Sequence, residues 1–197
     1  MRENLLGERP VERADAAANR RRILAAAEDL FAMYGQQVTM AQLAAAAGVG
    51  RGTLYRRYES VAAVAVALLD EHERELQSRI LSGPPPLGPG ASPHDRLNAF
   101  FDAMVDLLER HLPLALGAEI GASRYATGAY GFWRTHVHTL LTEAGVTDPA
   151  LADILLAPLA PDHFQHLRTT RHCSTRTIKS SLHHLSGLVR KSPSSSQ

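Results

Sequence analysis

A single cysteine, Cys173, stands in the 197 residues. No disulfide can form within the chain, and its stability needs no oxidising compartment. Neither sign of charge dominates: 21 Lys and Arg against 20 Asp and Glu leave a net charge of +1. That balance excludes a polybasic arm or a general field of the kind that announces nucleic-acid binding by composition. Long apolar runs are missing too. The longest, Val61 to Leu69, falls far short of the roughly 20 residues that cross a bilayer. The charged N-terminus lacks the apolar core of a signal peptide. No membrane partner is expected, and the cytoplasm is the default compartment. Aromatic residues make up 6%, and β-branched runs bounded by turn residues are scarce, which argues against sheets. Nucleophile motifs, phosphate loops and paired carboxylates are absent, so no catalytic residue, cofactor or enzymatic role is assigned.

What is present is alanine, leucine and helical periodicity, with 45% hydrophobic residues, enough for a real core. The reading is an all-α protein.

The densest signals lie between Arg22 and Tyr58. Thr39 with Gln42 three positions later makes a capping box, and Val38 with Leu43 supplies the hydrophobic staple. A short helix is predicted over 40–47. Gly48 follows where that helix must stop, because glycine tolerates the left-handed conformation that closes the last carbonyls. Gly50 is an acceptable N-cap, Val49 and Leu54 form a second staple, and a second short helix runs over 51–58. Two short helices on so tight a turn are a helix-turn-helix, which suits DNA reading. Upstream, Ile23, Ala27, Leu30, Phe31 and Tyr34 share one face of a helix that Gly35 ends. Residues 1–60 hold nine arginines against seven acids. The excess is small, so arrangement matters more: Arg20, Arg21 and Arg22 cluster on one helix and Arg51, Arg56 and Arg57 on another, both able to meet phosphate.

Four segments are expected: a flexible arm over 1–17, a three-helix domain with the helix-turn-helix over 18–62, a second helical domain over 63–191, for which the family resemblance given below implies ligand binding and dimerisation, and a disordered tail over 192–197. Ser60 caps a long fourth helix that joins the two domains and ends before Gly83. Pro84 to Gly90 read as an extended surface loop. Ser92-Pro93 opens a broad apolar helix that Pro113 interrupts. Glycines between Gly121 and Gly131 suggest a mobile region, Trp133 to Leu141 a further helix, and Asp148-Pro149 the start of the next, kinked at Pro158 and Pro161. Ser174 or Thr175 begins the last, with Ile178, Leu182, Leu185 and Leu188 on one face. The last two helices are the expected homodimer interface.

Arg22-Ile23-Leu24, Ala26-Ala27, Leu30-Phe31, Gly35, Thr39, Leu43-Ala44, Ala47-Gly48-Val49, Gly52-Thr53-Leu54-Tyr55 and Tyr58 together resemble the TetR-type DNA-binding domain. The family commonly has Ser or Thr where this chain has Gly50, His where it has Arg57, and Lys where it has Val61. The last difference removes an expected phosphate contact. The resemblance implies a homodimeric regulator, usually a repressor, whose paired heads bind a near-palindromic DNA operator. A small-molecule effector in the C-terminal region would tilt the fourth helix and release the DNA. Two recognition helices reach successive major grooves only when about 34 Å apart, and an effector must prefer the misaligned state to act at all.

Arg51 is the candidate for a base edge, since a guanidinium in the major groove can pair bidentately with guanine. Gly52 leaves room for backbone approach, and Thr53 can touch base or phosphate. Tyr55, Arg56 and Arg57 are expected phosphate contacts, which position without specifying. Thr39 and Met40 begin the first short helix, whose free amides suit a phosphate. Candidate effector contacts are Phe100, Phe101, Met104, Tyr125, Trp133 and His136. Core packing is the competing account of each. His163, His166, His172, His183, His184 and Cys173 offer metal-ligand chemistry, but no spacing gathers them, and no metal site is assigned. Two alternatives stand beside the effector-responsive regulator: a DNA-binding regulator without an effector and, with less support, a metal-binding helical enzyme.

Overall fold

A computed structural model describes residues 10–118, 125 and 127–187. The chain divides into two compact units, Met1–Leu68 and Leu69–Gln197. The boundary falls six residues beyond the expected one, inside the fourth helix, so the buried Val64 and Leu68 belong to the first unit.

The first unit contains α1 (Pro10–Tyr34), α2 (Met40–Ala47), α3 (Arg51–Arg57) and the opening turns of α4 (Val61–Ser82). Helix α1 begins well inside the segment expected to be a flexible arm. Proline is at home in the first helical position, and the alanines at 16–18 propagate a helix readily. Residues 10–17 are therefore helical, and residues 1–9 lie outside the described residues. Ile23, Leu24 and Ala27 of α1 are buried with Val38, Leu43, Ala44, Ala47, Leu54 and Tyr58. Tyr34, expected on the buried face, is exposed at the end of the helix. Ser60 caps α4 as its position predicts, its Oγ accepting the Ala63 amide at 3.1 Å.

In the second unit α4 ends at Ser82, and α5 (Pro93–Ala118) follows a tight connection. That connection is not the extended surface loop its prolines suggest. Leu87 is buried, and the Gly88 amide donates to the Pro84 carbonyl at 3.0 Å. A Cβ on Gly88 would lie 1.9 Å from the Gly83 carbonyl oxygen, so only glycine permits this fold-back. Ser92 Oγ accepts the Asp95 amide at 3.2 Å and starts α5. Pro113 does not end α5; the helix breaks at His111 (φ −124°, ψ 20°) and continues.

Helix α6 (Gly128–Glu143) starts with Gly128 and Gly131 in its first turn, where a mobile stretch was expected. Thr127 explains the start, because its Oγ1 accepts the Tyr130 amide at 3.1 Å. Residues 121–124 and 126 lie outside the described residues, as does the 192–197 tail. Helix α7 (Leu151–Leu156) begins two residues later than predicted. Asp148 spends its carboxylate on the Ala150 amide at 2.8 Å, forming a local turn instead of a cap. Pro158 lies in a 3-10 turn (Ala157–Leu159), Pro161 opens α8 (Pro161–Gln165), and a π-helical turn (His166–Thr170) follows. Ser174 caps α9 (Thr175–Gly187), its Oγ accepting the Thr177 amide at 3.1 Å.

The apolar face of α9 turns inward. Ile178 and Leu182 are buried in the core with Leu97, Phe101 and Val105 of α5. Along this contact Ser186 Oγ donates to Asn98 Oδ1 at 2.6 Å, His183 Nε2 meets Asp102 Oδ1 at 2.9 Å, and Lys179 Nζ donates to Asp106 Oδ1 at 2.6 Å. As one helix number rises the other falls by one turn, the register of antiparallel helices. Arg168 extends the ladder with two bonds to Glu109 at 2.6 and 2.8 Å. The leucine face assigned to a dimer seam is therefore used within the chain. Leu188 lies outside the described residues.

Candidate nucleic-acid interface

Helix α2 is set by reciprocal bonds at its start. Thr39 Oγ1 accepts the Gln42 amide at 3.3 Å, while Gln42 Oε1 accepts the Thr39 amide at 2.9 Å and its hydroxyl at 2.8 Å. Thr39 stays exposed beside the free amides of the first turn. Met40 can contribute to that start only through its amide. Its side chain is buried among the apolar residues of the unit and cannot reach DNA, because the staple that orients α2 turns this position inward.

Gly48 adopts φ 61°, ψ 36°, and the amides of Gly48 and Val49 close the last carbonyls of α2. Gly50 (φ −64°, ψ 142°) then lets its carbonyl accept the Thr53 and Leu54 amides at 3.0 and 3.1 Å, which begins α3. Leu54 and Tyr58 point into the unit, so the remaining side chains of α3 point away from it. Arg51, Gly52, Tyr55, Arg56 and Arg57 are exposed and Thr53 is half-buried. A Cβ on Gly52 would meet nothing, leaving open space at the front of the helix. Arg51 has no hydrogen-bond partner among the described residues. Arg56 Nη2 donates to Thr53 Oγ1 at 3.4 Å, and Arg57 Nη1 donates to the Ala16 carbonyl of α1 at 3.3 Å. Three arginines and a tyrosine are thus exposed on a helix whose other side is anchored. Arg21 and Arg22 are exposed on α1, while Arg20 Nη1 approaches the Tyr58 hydroxyl at 3.5 Å.

The second unit holds a narrow pocket of about 20 Å³ lined by Leu69, Glu73, Met104, Leu107, Leu108, Ala115, Tyr130, Trp133, Leu156 and Leu159. That is room for one water. Of the six residues expected to meet an effector, only Met104 and Trp133 line it. Phe100 and Phe101 are fully buried beside it, with the Phe100 ring 5.9 Å from that of Trp133 and 5.4 Å from that of His136. Tyr125 is exposed, its ring set edge-on to Tyr130 at 5.0 Å. Periodicity identified these residues as apolar or aromatic but not which side of the helix met a void. Burial holds His136 neutral, its pKa pushed down to about 4 with help from Arg96. Tyr130 was missed; its hydroxyl donates to Asp153 Oδ1 at 2.7 Å, which, with Arg134, keeps that carboxyl below its usual range. Glu73 was missed as well, although a signal exists. It occupies the same stripe of α4 as the buried Leu69, Leu76 and Ile80, where a carboxylate is out of place.

Residues 23–68 match the model of the bacterial regulatory proteins of the tetR family. The chain carries a tetR-type DNA-binding head over these residues. It is a DNA-binding transcriptional regulator rather than an enzyme. No curated protein matches the chain. Solved structures extend the likeness in fold across the second unit. A transcriptional regulator from Saccharomonospora viridis in complex with choline is 20% identical over 86% of this chain and 95% of that one, with a TM-score of 0.65. The fatty acid degradation regulator FadR from Bacillus halodurans is 17% identical over 92% and 96%, at 0.62. A TetR regulator from Streptomyces coelicolor is 22% identical over 88% and 99%, at 0.58. Leu54 and Tyr58 anchor α3 in the head and leave its other side exposed. Among the described residues no helix is long and apolar enough to cross a membrane.

Proposed function

We propose that the chain is a homodimeric repressor that binds a near-palindromic operator and is released by a small-molecule effector. The observation that carries this reading is the exposed side of α3, where Arg51, Tyr55 and Arg56 stand clear of the core, with Thr53 half-buried among them, after a turn held by Gly48. Arg51 takes the base edge, because its guanidinium lies at the front of the helix and has no partner among the described residues. Gly52 allows the backbone close to the duplex. Thr53, Tyr55, Arg56 and Arg57 hold phosphates, and Thr39 with the adjacent amides holds another. Selection of duplexes from a random pool at low salt, followed by gel-shift titration, tests the reading. A near-palindromic preference is expected, and failure to retain any duplex would overturn it.

The effector enters the second unit by opening the cavity, which must grow from about 20 Å³ to the roughly 300 Å³ or more that small-molecule sites occupy. Its one charged wall is Glu73, with the rings of Tyr130 and Trp133 on the same cavity. A carboxylate with aromatic faces is chemistry for a small organic cation, the class to which the choline held by the Saccharomonospora viridis protein belongs. Thermal unfolding with choline and with bulkier quaternary ammonium ions tests this. A raised midpoint together with weaker operator binding is expected, and an unchanged midpoint with all of them favours a regulator without such an effector. The copies meet through the outward sides of α8 and α9.

A further inference from the structure

One wall of the narrow pocket in the second unit reaches the surface. Tyr130 lines that pocket and is only 6% exposed, yet the groups that hold it stand in solvent. Its hydroxyl donates to Asp153 Oδ1 at 2.7 Å, and Asp153 keeps 41% of its side chain exposed. The exposed Tyr125 lies edge-on to its ring at 5.0 Å. Asp153 is braced in turn by Arg134, one turn beyond Tyr130 on α6, whose Nε donates to Oδ1 at 3.2 Å and to Oδ2 at 3.0 Å. One carboxylate on α7 thus takes bonds from two side chains on the same face of α6. The Tyr130 hydroxyl, and after it Arg134, hold that carboxyl below its usual range, so it is charged at neutral pH. A hydrogen bond to an ionised acceptor is about twice as strong as one between neutral groups.

We propose that Asp153, braced by Arg134, latches Tyr130 against the pocket, and that release of the Tyr130 hydroxyl is what admits a ligand. The other aromatic wall, Trp133, packs against the rings of Phe100 and Phe132 at 5.9 and 5.3 Å, so growth on that side would break the core. Tyr130 has room to give. Gly128 and Gly131 stand beside it in the first turn of α6, and a Cβ on either would meet nothing within 4 Å. Asp153 and Arg134 do not line the pocket, so they are positioning residues that act through Tyr130. The latch sets the fraction of molecules whose pocket is open, and a ligand that binds only the open form has its apparent Kd raised by the inverse of that fraction. The inference rests on the reading that a small molecule enters this pocket, but the latch itself can be measured with none present.

Trp133 is the only tryptophan of the chain and is buried at the pocket, so acrylamide quenching of its fluorescence in the full chain reports opening without any ligand. Tyr130→Phe keeps the ring and deletes the hydroxyl; Asp153→Ala deletes the acceptor. Each should raise the quenching constant about twofold or more while circular dichroism shows the helices intact. Lys179→Ala, which breaks an ion pair between α9 and α5, should quench like the unaltered chain. Choline and tetraethylammonium are then titrated by calorimetry. Loss of a bond to a charged acceptor is enough to shift such an equilibrium about tenfold, so both variants should bind these cations up to about tenfold more tightly. Unchanged quenching in either variant, or an equal rise in Lys179→Ala, would overturn the latch. So would cation binding by the unaltered chain that Asp153→Ala does not tighten. Raised quenching in both variants with no cation bound by any of the proteins upholds the latch and overturns only the cationic effector.

Discussion

Gly48 sits at φ 61°, a conformation in which a Cβ crowds the following carbonyl at roughly 1–2 kcal/mol. Gly48→Ala should therefore destabilise the head by about that amount in chemical denaturation and weaken DNA binding, since this turn aims α3. The arginines of α3 divide by role. Arg51→Ala should relax base preference, costing about 1–3 kcal/mol on operator and little on random duplex. Arg57→Ala should weaken both alike, because phosphate contacts carry no sequence information. Equal losses on both duplexes for both variants would contradict the division. At this scale Thr39, Gly48 and Ser60 were legible in the sequence, because a cap or a left-handed turn is decided within four residues. Met40 was not, because which side of a helix start faces the core depends on what packs there.

Among the elements, α5 and α9 are joined by an apolar seam and a polar ladder of unequal weight. Leu182 is buried, so Leu182→Ala should lower stability by about 2–5 kcal/mol in urea unfolding. Lys179→Ala, at a partly exposed ion pair, should cost no more than about 1 kcal/mol. A ladder that outweighed the seam would reverse that order. Periodicity showed that α9 was amphipathic. It could not show whether its face met α5 or a second copy, since either would bury the same leucines. The starts of α6 and α7 failed for a more local reason: Thr127 and Asp148 are both competent caps, and only Thr127 is used as one.

For the whole molecule, the buried His136 links stability to pH. Its folded pKa of about 4 lies below the ordinary 6.5, so between those values the unfolded chain takes up a proton that the folded chain refuses. Stability from this group is complete above about pH 6.5 and falls by up to about 1.4 kcal/mol per pH unit as pH drops towards 4. His136→Phe should reduce that slope in urea unfolding at stepped pH without abolishing it, because the buried His111 has its pKa pushed down to about 4 as well, and an unaltered slope would place the titration elsewhere. The proposed dimer should sediment at twice the 21.4 kDa of one chain, and a monomer at micromolar concentration would contradict it.

By itself the sequence determined the helical class, the helix-turn-helix with the bounds of α2, and the family of the head. These rest on caps, turns and spacings that act over a few residues and carry their physics with them. The tertiary structure alone decided that α9 folds back on α5, that the candidate effector residues lie mostly beside the cavity, and that Asp153 holds Tyr130. Each of those depends on side chains tens of residues apart, whose meeting no local pattern encodes.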